Sequence, residues 1–291
     1  MISIQETAIR VSLTITKWGV SKRDDEVTSK AIAEAEATAD AGNFNKRLLA
    51  KRYTENIDRI ANEARKLFRE STLPWGKKDR ILPMAMLEDF RLKIKAIKRE
   101  YFQAVGTLAL VFPSAVAERA SELGAMHNPN EYPSVDDLQK AYTFELDVAN
   151  IEDANDLRVA VSKEAADEIA KEIRRGVQLR IDSAVEDLFG RAQAVIGRMV
   201  SSLTEDKRFS ATMVSGIEDL ADLLPRLNVL GDQKLENLAQ RMKRELCQYT
   251  VEDIRKNPAV KQTVLDRAKA LQENVNLMAN FMDEVDIQKA A

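Results

Sequence analysis

The chain has 291 residues, of which 31% are charged and only 5% are aromatic, and its net charge is −3. This composition is typical of long helices that pack aliphatic side chains, and it argues against a β-sandwich. The slight negative charge also argues against a wholly basic surface of the kind that coats many nucleic-acid-binding proteins.

The first predicted elements are a strand and a long helix. Apolar residues alternate with polar ones from Ile9 to Thr16, which predicts a strand with one buried face. An alanine-rich polar stretch, Ser21 to Asn43, is predicted to be partly helical. Regularly spaced apolar residues then predict a helix from about Phe44 to Arg69. It should end before Leu73, because a residue that precedes proline avoids the helical conformation.

A second long helix is predicted to begin near Pro83, since proline is favoured in a first helical turn. Its apolar residues recur at spacings of three and four, as in a packed helix hairpin or coiled coil. Pro113 should break this helix and leave a shorter one from Ser114 to Leu123. After a loop, Ser134 is predicted to cap another short helix.

Two further strands are predicted at Thr143 to Val148 and Leu157 to Val161, and with the first strand they would form a small sheet. Ser162 is predicted to cap a very long helix that ends near Leu203. Three more helices are expected near Ala211 to Leu224, Asp232 to Tyr249 and Pro258 to Val285. The expected fold is mainly α, an elongated bundle of long helices and helix hairpins with a small antiparallel β-sheet.

The change in helix pattern predicts two regions. Residues 1–162 would hold the helix hairpin and the small sheet, and residues 163–291 a coiled-coil-like region of long helices. In the last helix, apolar residues recur in heptads from Val264 to Val285. Such a stripe can pair within one chain or between two chains, so we predict a homo-oligomer, most simply a dimer.

Nothing in the sequence has the spacing of a catalytic, cofactor or metal site. The only histidine is His127, and zinc or a nucleophilic triad would need further partners. Gly76, Lys77 and Lys78 lack the rest of a phosphate-binding loop. Cys247, the single cysteine, excludes an internal disulfide and suits a reducing compartment. Because no signal peptide or long apolar run is present, we expect a cytoplasmic protein that does not bind membranes.

Positive charge is concentrated in one part of the chain. Residues 46–99 hold 16 Lys and Arg but only 7 Asp and Glu. Such a patch can attract phosphates or an acidic face of another protein, or it can be an ordinary solvated helix flank. The candidate phosphate- or partner-binding residues are Lys77, Lys78, Arg80, Arg91, Lys95 and Lys98. Trp75, between them and the first helix, is predicted to be a structural anchor at the turn of the helix hairpin.

Several short segments, taken in order, resemble a family of bacteriophage and prophage proteins that is defined by a domain of unknown function. These segments are Lys17-Trp18-Gly19, Asn45 to Leu49, Thr72 to Trp75, Arg80 to Pro83, Tyr132-Pro133 and Asp156 to Val159. The resemblance covers residues 8–203, with Leu157 standing where the family pattern has an aromatic residue. It implies a phage-encoded intracellular protein that is not part of the virion, and it supplies no catalytic residues.

Three hypotheses on function follow. The first is a non-enzymatic helical protein that binds and modulates a host or phage protein, as an adaptor or as an inhibitor of host defence. The second is a nucleic-acid-binding accessory protein in phage DNA metabolism that uses the basic hairpin of residues 46–99. The third is an enzyme whose site is assembled from scattered acids and arginines. The lack of catalytic motifs favours the first two.

Overall fold

The chain is mainly α-helical and carries a small antiparallel sheet, as predicted. The computed structural model describes residues 3–153, 162–205 and 209–290, with side chains described up to residue 278. The strands in these ranges are β1 (Ala8–Thr16), β2 (Ser21–Arg23), β3 (Asn45–Arg47), β4 (Leu73–Trp75), β5 (Asp79–Pro83) and β6 (Thr143–Ala149). The helices there are α1 (Ile4–Thr7), α2 (Asp25–Glu34), α3 (Glu55–Ser71), α4 (Leu87–Leu123), α5 (Val135–Lys140), α6 (Lys163–Thr204), α7 (Ala211–Leu227), α8 (Gln233–Leu246), α9 (Val251–Lys256) and α10 (Pro258–Ala290).

The described residues form two compact units, each made of several stretches of chain. Unit 1 consists of Met1–Ser12, Ser71–Glu88 and Val148–Ala291. Unit 2 consists of Leu13–Glu70 and Asp89–Asp147. The predicted boundary at residue 162 rested on a change of helix pattern along the sequence, and it stays a prediction. None of the helices in the described part of the chain has an apolar stretch long enough to cross a membrane.

The main sheet has four strands in the order β4-β5-β1-β6, and β2 and β3 form a separate antiparallel pair. Arg10 of β1 lies opposite Ile81 of β5, in an antiparallel register. The strands predicted from Ile9 and from Thr143 are confirmed as β1 and β6. The third predicted strand, Leu157 to Val161, lies outside the described residues.

The segment between α3 and α4 contains a β-hairpin, where the sequence predicted only a connecting loop. β4 and β5 pair antiparallel, with Trp75 opposite Asp79. Gly76 begins the turn with a φ of 82°, a left-handed conformation that glycine adopts without steric cost. The strands were missed because they are short and contain prolines and charges, which leave no clear alternating pattern.

Two predicted helix starts were wrong. α3 begins at Glu55 rather than near Phe44, because Asn45–Arg47 extends as β3 and pairs with β2. Likewise, Pro83 ends β5, and a single 3-10 turn separates it from the start of α4 at Leu87. In both places a strand pairing that is distant in sequence overrides the local helical pattern.

Pro113 does not break α4, which runs without interruption from Leu87 to Leu123. Phe112 and Ala115 are both buried on the inner face of the helix next to Pro113. Burial of such side chains stabilises the helix by about 1.5 to 3 kcal/mol for a large apolar residue. This gain offsets a proline penalty of about 3 kcal/mol, so tertiary packing retains the helix.

Helix starts with a capping side chain were predicted correctly. The Ser134 hydroxyl accepts a hydrogen bond from the Asp137 amide at 3.1 Å and caps α5. Similarly, the Ser162 hydroxyl accepts a hydrogen bond from the Ala165 amide at 3.3 Å and caps α6. Each cap satisfies an amide that would otherwise lack a helical partner.

In unit 1, α10 packs against α6 and buries the apolar stripe that the heptad pattern identified. Val264, Leu271 and Val275 are fully buried within the chain. The described part of this stripe is therefore covered without a second copy. Met282 and Val285 lie beyond the described side chains, and self-association through this helix stays a prediction.

In unit 2, one face of α4 packs against the core. Tyr101 of α4 is fully buried, and its hydroxyl donates a hydrogen bond to the Thr16 carbonyl at 2.7 Å. Its ring contacts Phe144 of β6 at a centroid distance of 5.6 Å. The ring of Phe68 on α3 lies 6.3 Å from that of Phe90 on α4, so the two helices meet at this point. The opposite face of α4 is left open to solvent.

Candidate functional site

The predicted basic residues fall into two groups, three in the β4-β5 hairpin and three on α4. In the hairpin, Lys77 and Lys78 lie exposed at the turn. Arg80 is half-buried and its guanidinium donates hydrogen bonds to the Thr72 hydroxyl at 2.6 Å and to the Thr72 carbonyl at 2.9 Å. Arg80 therefore braces the hairpin, and only the two lysines present their charge at its tip.

Trp75 lies in β4 and is only 2% exposed. The guanidinium carbon of Arg180, on α6, lies 5.8 Å from the centroid of its ring. This is within the range of a cation–π contact. The indole is thus covered on one side within unit 1, in a strand rather than at a turn between two helices. Its role as an anchor stays a prediction that a substitution can test.

The α4 group forms one continuous surface. Arg91, Lys95 and Lys98 are exposed and recur at spacings of four and three, which places them on one side of the helix. Arg99 lies four residues after Lys95 and is also exposed. We call Arg91, Lys95, Lys98 and Arg99 the basic face of α4. It lies away from the buried residues Phe90, Ile94, Ile97 and Tyr101.

Two cations of the basic face of α4, Lys95 and Arg99, differ from cations of α3 that form ion pairs within their own helix. On α3, Arg59 pairs with Glu63 at 3.2 Å and Lys66 is within 3.8 Å of Glu70. Lys95 and Arg99 make no ion pair with any residue that the structure describes. The charges of Lys95 and Arg99 are therefore available to a partner, whereas those of Arg59 and Lys66 are balanced within α3.

Large apolar side chains share this side of α4, and the sequence did not single them out. Leu92 is 69% exposed and lies three residues before Lys95 on the same side of the helix. Phe102 is 41% exposed and follows Arg99 by three residues. Leu110, five helical turns after Leu92, is 85% exposed. The sequence could have indicated their exposure, because these residues lie outside the three-and-four spacing of the buried residues of α4.

A second cluster of charges lies in unit 1, and its members are paired with one another. Glu152 accepts hydrogen bonds from Arg10 at 2.6 Å and from Arg180 at 3.1 Å. The cluster borders an open cleft of about 780 Å³ whose walls include Gln5 and Asn150. Glu152 and Asp79, which lies 3.8 Å from Arg10, together balance the two guanidinium charges, so this cleft offers no obvious site for an anion.

The residues with chemical reactivity are placed in unreactive surroundings. Burial raises the pKa of the Cys247 thiol to about 11, so the thiolate is scarce near neutral pH. His127 lies in the loop after α4, with its ring 5.3 Å from that of Tyr132. Across the described residues, no group of three or more His, Cys, Asp or Glu side chains is arranged to hold a metal ion.

No family model matches the chain, and neither a curated protein nor a solved structure is significantly similar to it. The basic face of α4 and its exposed apolar neighbours are therefore the best candidate for a functional site. They can bind a surface of opposite charge that also offers apolar contacts.

Proposed function

We propose that this protein is a non-enzymatic binding protein whose basic face of α4 docks on an acidic surface of another protein. The observation that carries the proposal is the exposure of Leu92 and Phe102 beside the unpaired cations Lys95 and Arg99. Protein interfaces combine an apolar centre with charges at the rim, and arginine and aromatic residues are enriched in them. The complementary partner has a carboxylate-rich surface around an apolar patch.

The resemblance to phage proteins supplies the biological setting of the proposal. In that setting the protein is encoded by a phage and acts in the cytoplasm of the host cell. Its partner is a host or phage protein, and the protein modulates that partner as an adaptor or as an inhibitor of host defence. Such a role needs a stable surface rather than a catalytic centre, which suits a face held on a long, well-packed helix.

The test is a pull-down from host lysate with two charge-matched variants. Arg91→Glu/Lys95→Glu/Lys98→Glu reverses the basic face of α4, and Lys51→Glu/Arg59→Glu/Lys66→Glu reverses three exposed cations around α3. Both variants should retain the helical circular-dichroism signal, because all six side chains are exposed. The proposal expects the α4 variant to lose a partner that the wild type and the α3 variant retain. Equal capture by all three proteins would contradict it.

Nucleic-acid binding is the second candidate, and one observation favours it. Phe102 is exposed next to Lys98 and Arg99, an arrangement in which a base can stack on the ring while the cations contact phosphates. Binding would then be insensitive to sequence and would weaken steeply with salt. Titration of labelled DNA and RNA at two salt concentrations separates the candidates. Tight, salt-sensitive binding that the α4 variant abolishes would favour this second function over the first.

A further inference from the structure

Unit 2 carries a second surface whose charge is opposite to that of the basic face of α4. It is an apolar groove of about 320 Å³ between α2 and the loop that returns to β3. One wall is the side of α2 that bears Thr28, Ala31, Ile32 and Ala35, at helical spacing. The other wall comes from the returning loop, where Phe44 is 40% exposed. We call this feature the α2 groove.

Hydrogen bonds hold the α2 groove open at a fixed width. At one end, the Phe44 amide donates to the Thr28 hydroxyl at 3.0 Å, and the Asp24 amide donates to the Phe44 carbonyl at 2.9 Å. At the other end, the Ala37 amide donates to the Ile32 carbonyl at 3.0 Å and closes the helix. The groove is therefore a preformed feature of unit 2, and preformed sites bind with a smaller entropic penalty.

The segment that forms the groove is acidic. Residues 25–44 contain five Asp and Glu but a single lysine, Lys30. That lysine is occupied by Glu26 at 2.7 Å, and Asp25 lies 2.7 Å from Arg23. Glu34, Glu36 and Asp40 are exposed and make no ion pair with any described residue. The groove thus has an apolar lining, and the segment that forms it carries three exposed carboxylates that make no ion pair with any described residue.

We infer that the α2 groove binds the basic face of α4 of a second copy of this chain. Both surfaces belong to unit 2, and each is exposed in the single chain. Leu92 would enter the groove between Ala31, Ala35 and Phe44. Lys95 and Arg99 follow Leu92 on the same side of α4, so their charges would face the carboxylates of Glu34, Glu36 and Asp40.

This arrangement joins two different surfaces, so after two copies pair, one chain has a free groove and the other has a free basic face of α4. A contact of this heterologous kind closes only if the rotation between copies allows it, and otherwise it continues to higher oligomers. The inference rests on the proposed function in one respect, that the basic face of α4 binds protein. It adds a regulatory consequence, because self-association would cover the face that the foreign partner needs.

The test is sedimentation velocity of the full chain over a range of concentrations, with charge-reversal variants of both surfaces. The face variant is Lys95→Glu/Arg99→Glu, and the groove variant is Glu34→Lys/Asp40→Lys. We expect the wild type to shift from 32.7 kDa towards multiples of that mass as its concentration rises. Each variant alone should remain at the monomer mass, because the contact would then place like charges opposite each other.

The decisive protein combines all four substitutions, since this restores opposite charges across the contact. It should self-associate again, whereas a variant that only disturbs folding would not be rescued. Asp25→Lys/Glu26→Lys is the matched control, because it adds the same charge to the same segment away from the unpaired acids. It should associate as the wild type does. A wild type that stays monomeric throughout, or a combined variant without rescue, would overturn the inference.

The same variants separate this inference from the proposed function. The groove variant should retain the foreign partner in the pull-down, because its basic face of α4 is intact. If self-association is found but no foreign partner is lost on reversing α4, the proposed function fails and the inference stands. If the foreign partner is found but the wild type stays monomeric, the inference fails alone.

Discussion

Lys46 should be the most sensitive charged residue of unit 2. Its side chain is only 6% exposed, and its ammonium nitrogen lies 3.0 Å from both Asp24 and Glu131. It also donates a hydrogen bond to the Met126 carbonyl at 2.7 Å. One ammonium group therefore ties β3 to the start of α2 and to the loop that follows α4.

The substitution Lys46→Met removes the charge, retains most of the apolar stem and leaves two carboxylates without their partner. Removing one member of a buried ion pair destabilises a protein by about 3 to 5 kcal/mol. At about 2 to 4 °C per kcal/mol, the melting temperature should fall by roughly 6 to 20 °C. The exposed Lys30 is the control, because loss of a surface pair such as Lys30–Glu26 should leave the melting temperature nearly unchanged.

The two tryptophans allow this change to be measured in unit 2 alone. Trp18 lies in unit 2, with its ring 5.7 Å from that of Phe112, whereas Trp75 belongs to unit 1. In a Trp75→Phe background, urea unfolding followed by Trp18 fluorescence reports on unit 2. A loss of less than about 1 kcal/mol for Lys46→Met, the range of an exposed pair, would show that Lys46 does not stabilise unit 2 as a buried ion-pair partner.

The effect of Lys46→Met should also depend on pH. The Val27 amide and the Lys46 ammonium hold the pKa of Asp24 below its usual value. The stabilisation that Asp24 provides is present above the unfolded pKa of about 3.9 and is lost as the pH falls through the lower folded value.

Lys46 behaves in the opposite way. Burial alone would lower the pKa of Lys46, but Asp24 and Glu131 raise it above its usual value. The lysine contribution is therefore present below about pH 10.4 and is lost as the pH rises further. The difference between wild type and Lys46→Met should be constant near neutral pH and shrink in acid.

Three further substitutions or modifications test single features of the fold. Trp75→Ala should lower the free energy of unfolding by about 3 to 5 kcal/mol, because a fully buried ring leaves a cavity; an unchanged melting temperature would instead favour a recognition role. Pro113→Ala should raise the free energy of unfolding in urea by about 1 to 2 kcal/mol, because an amide again reaches the Ala109 carbonyl. A loss of stability would show that the proline is needed in α4. Cys247 should react with a thiol reagent at pH 8 much more slowly in the native protein than after unfolding, since burial raises its pKa to about 11; equal rates in the two states would contradict this.

Local signals in the sequence were sufficient for much of the helical architecture. Ser134 and Ser162 mark helix starts that the structure confirms, because a capping hydrogen bond joins residues three apart. The side of α4 that bears Lys95 and Lys98 also follows from spacing alone. Such features depend on neighbours within one or two helical turns, so a single sequence contains the information.

Features that depend on distant residues were not predictable in the same way. Lys46 meets Asp24 and Glu131 only after folding, and each was an ordinary charged residue in the sequence. Pro113 looked like a helix end because the packing that retains α4 is tertiary. The apolar part of the candidate site was missed for a similar reason, because exposure of Leu92 is known only once the buried face of α4 is fixed.

Binding of another protein by the basic face of α4 can be tested by site-specific photo-cross-linking in bacterial cells that express this protein. A photoreactive amino acid replaces Leu92 in one protein and Lys66, on the exposed side of α3, in another. We expect position 92 to give a discrete adduct with a protein other than a second copy of this chain. This adduct should be absent from position 66 and should disappear when Lys95 and Arg99 are replaced by glutamate. Identical products from both positions, or nucleic acid as the only adduct at position 92, would contradict it.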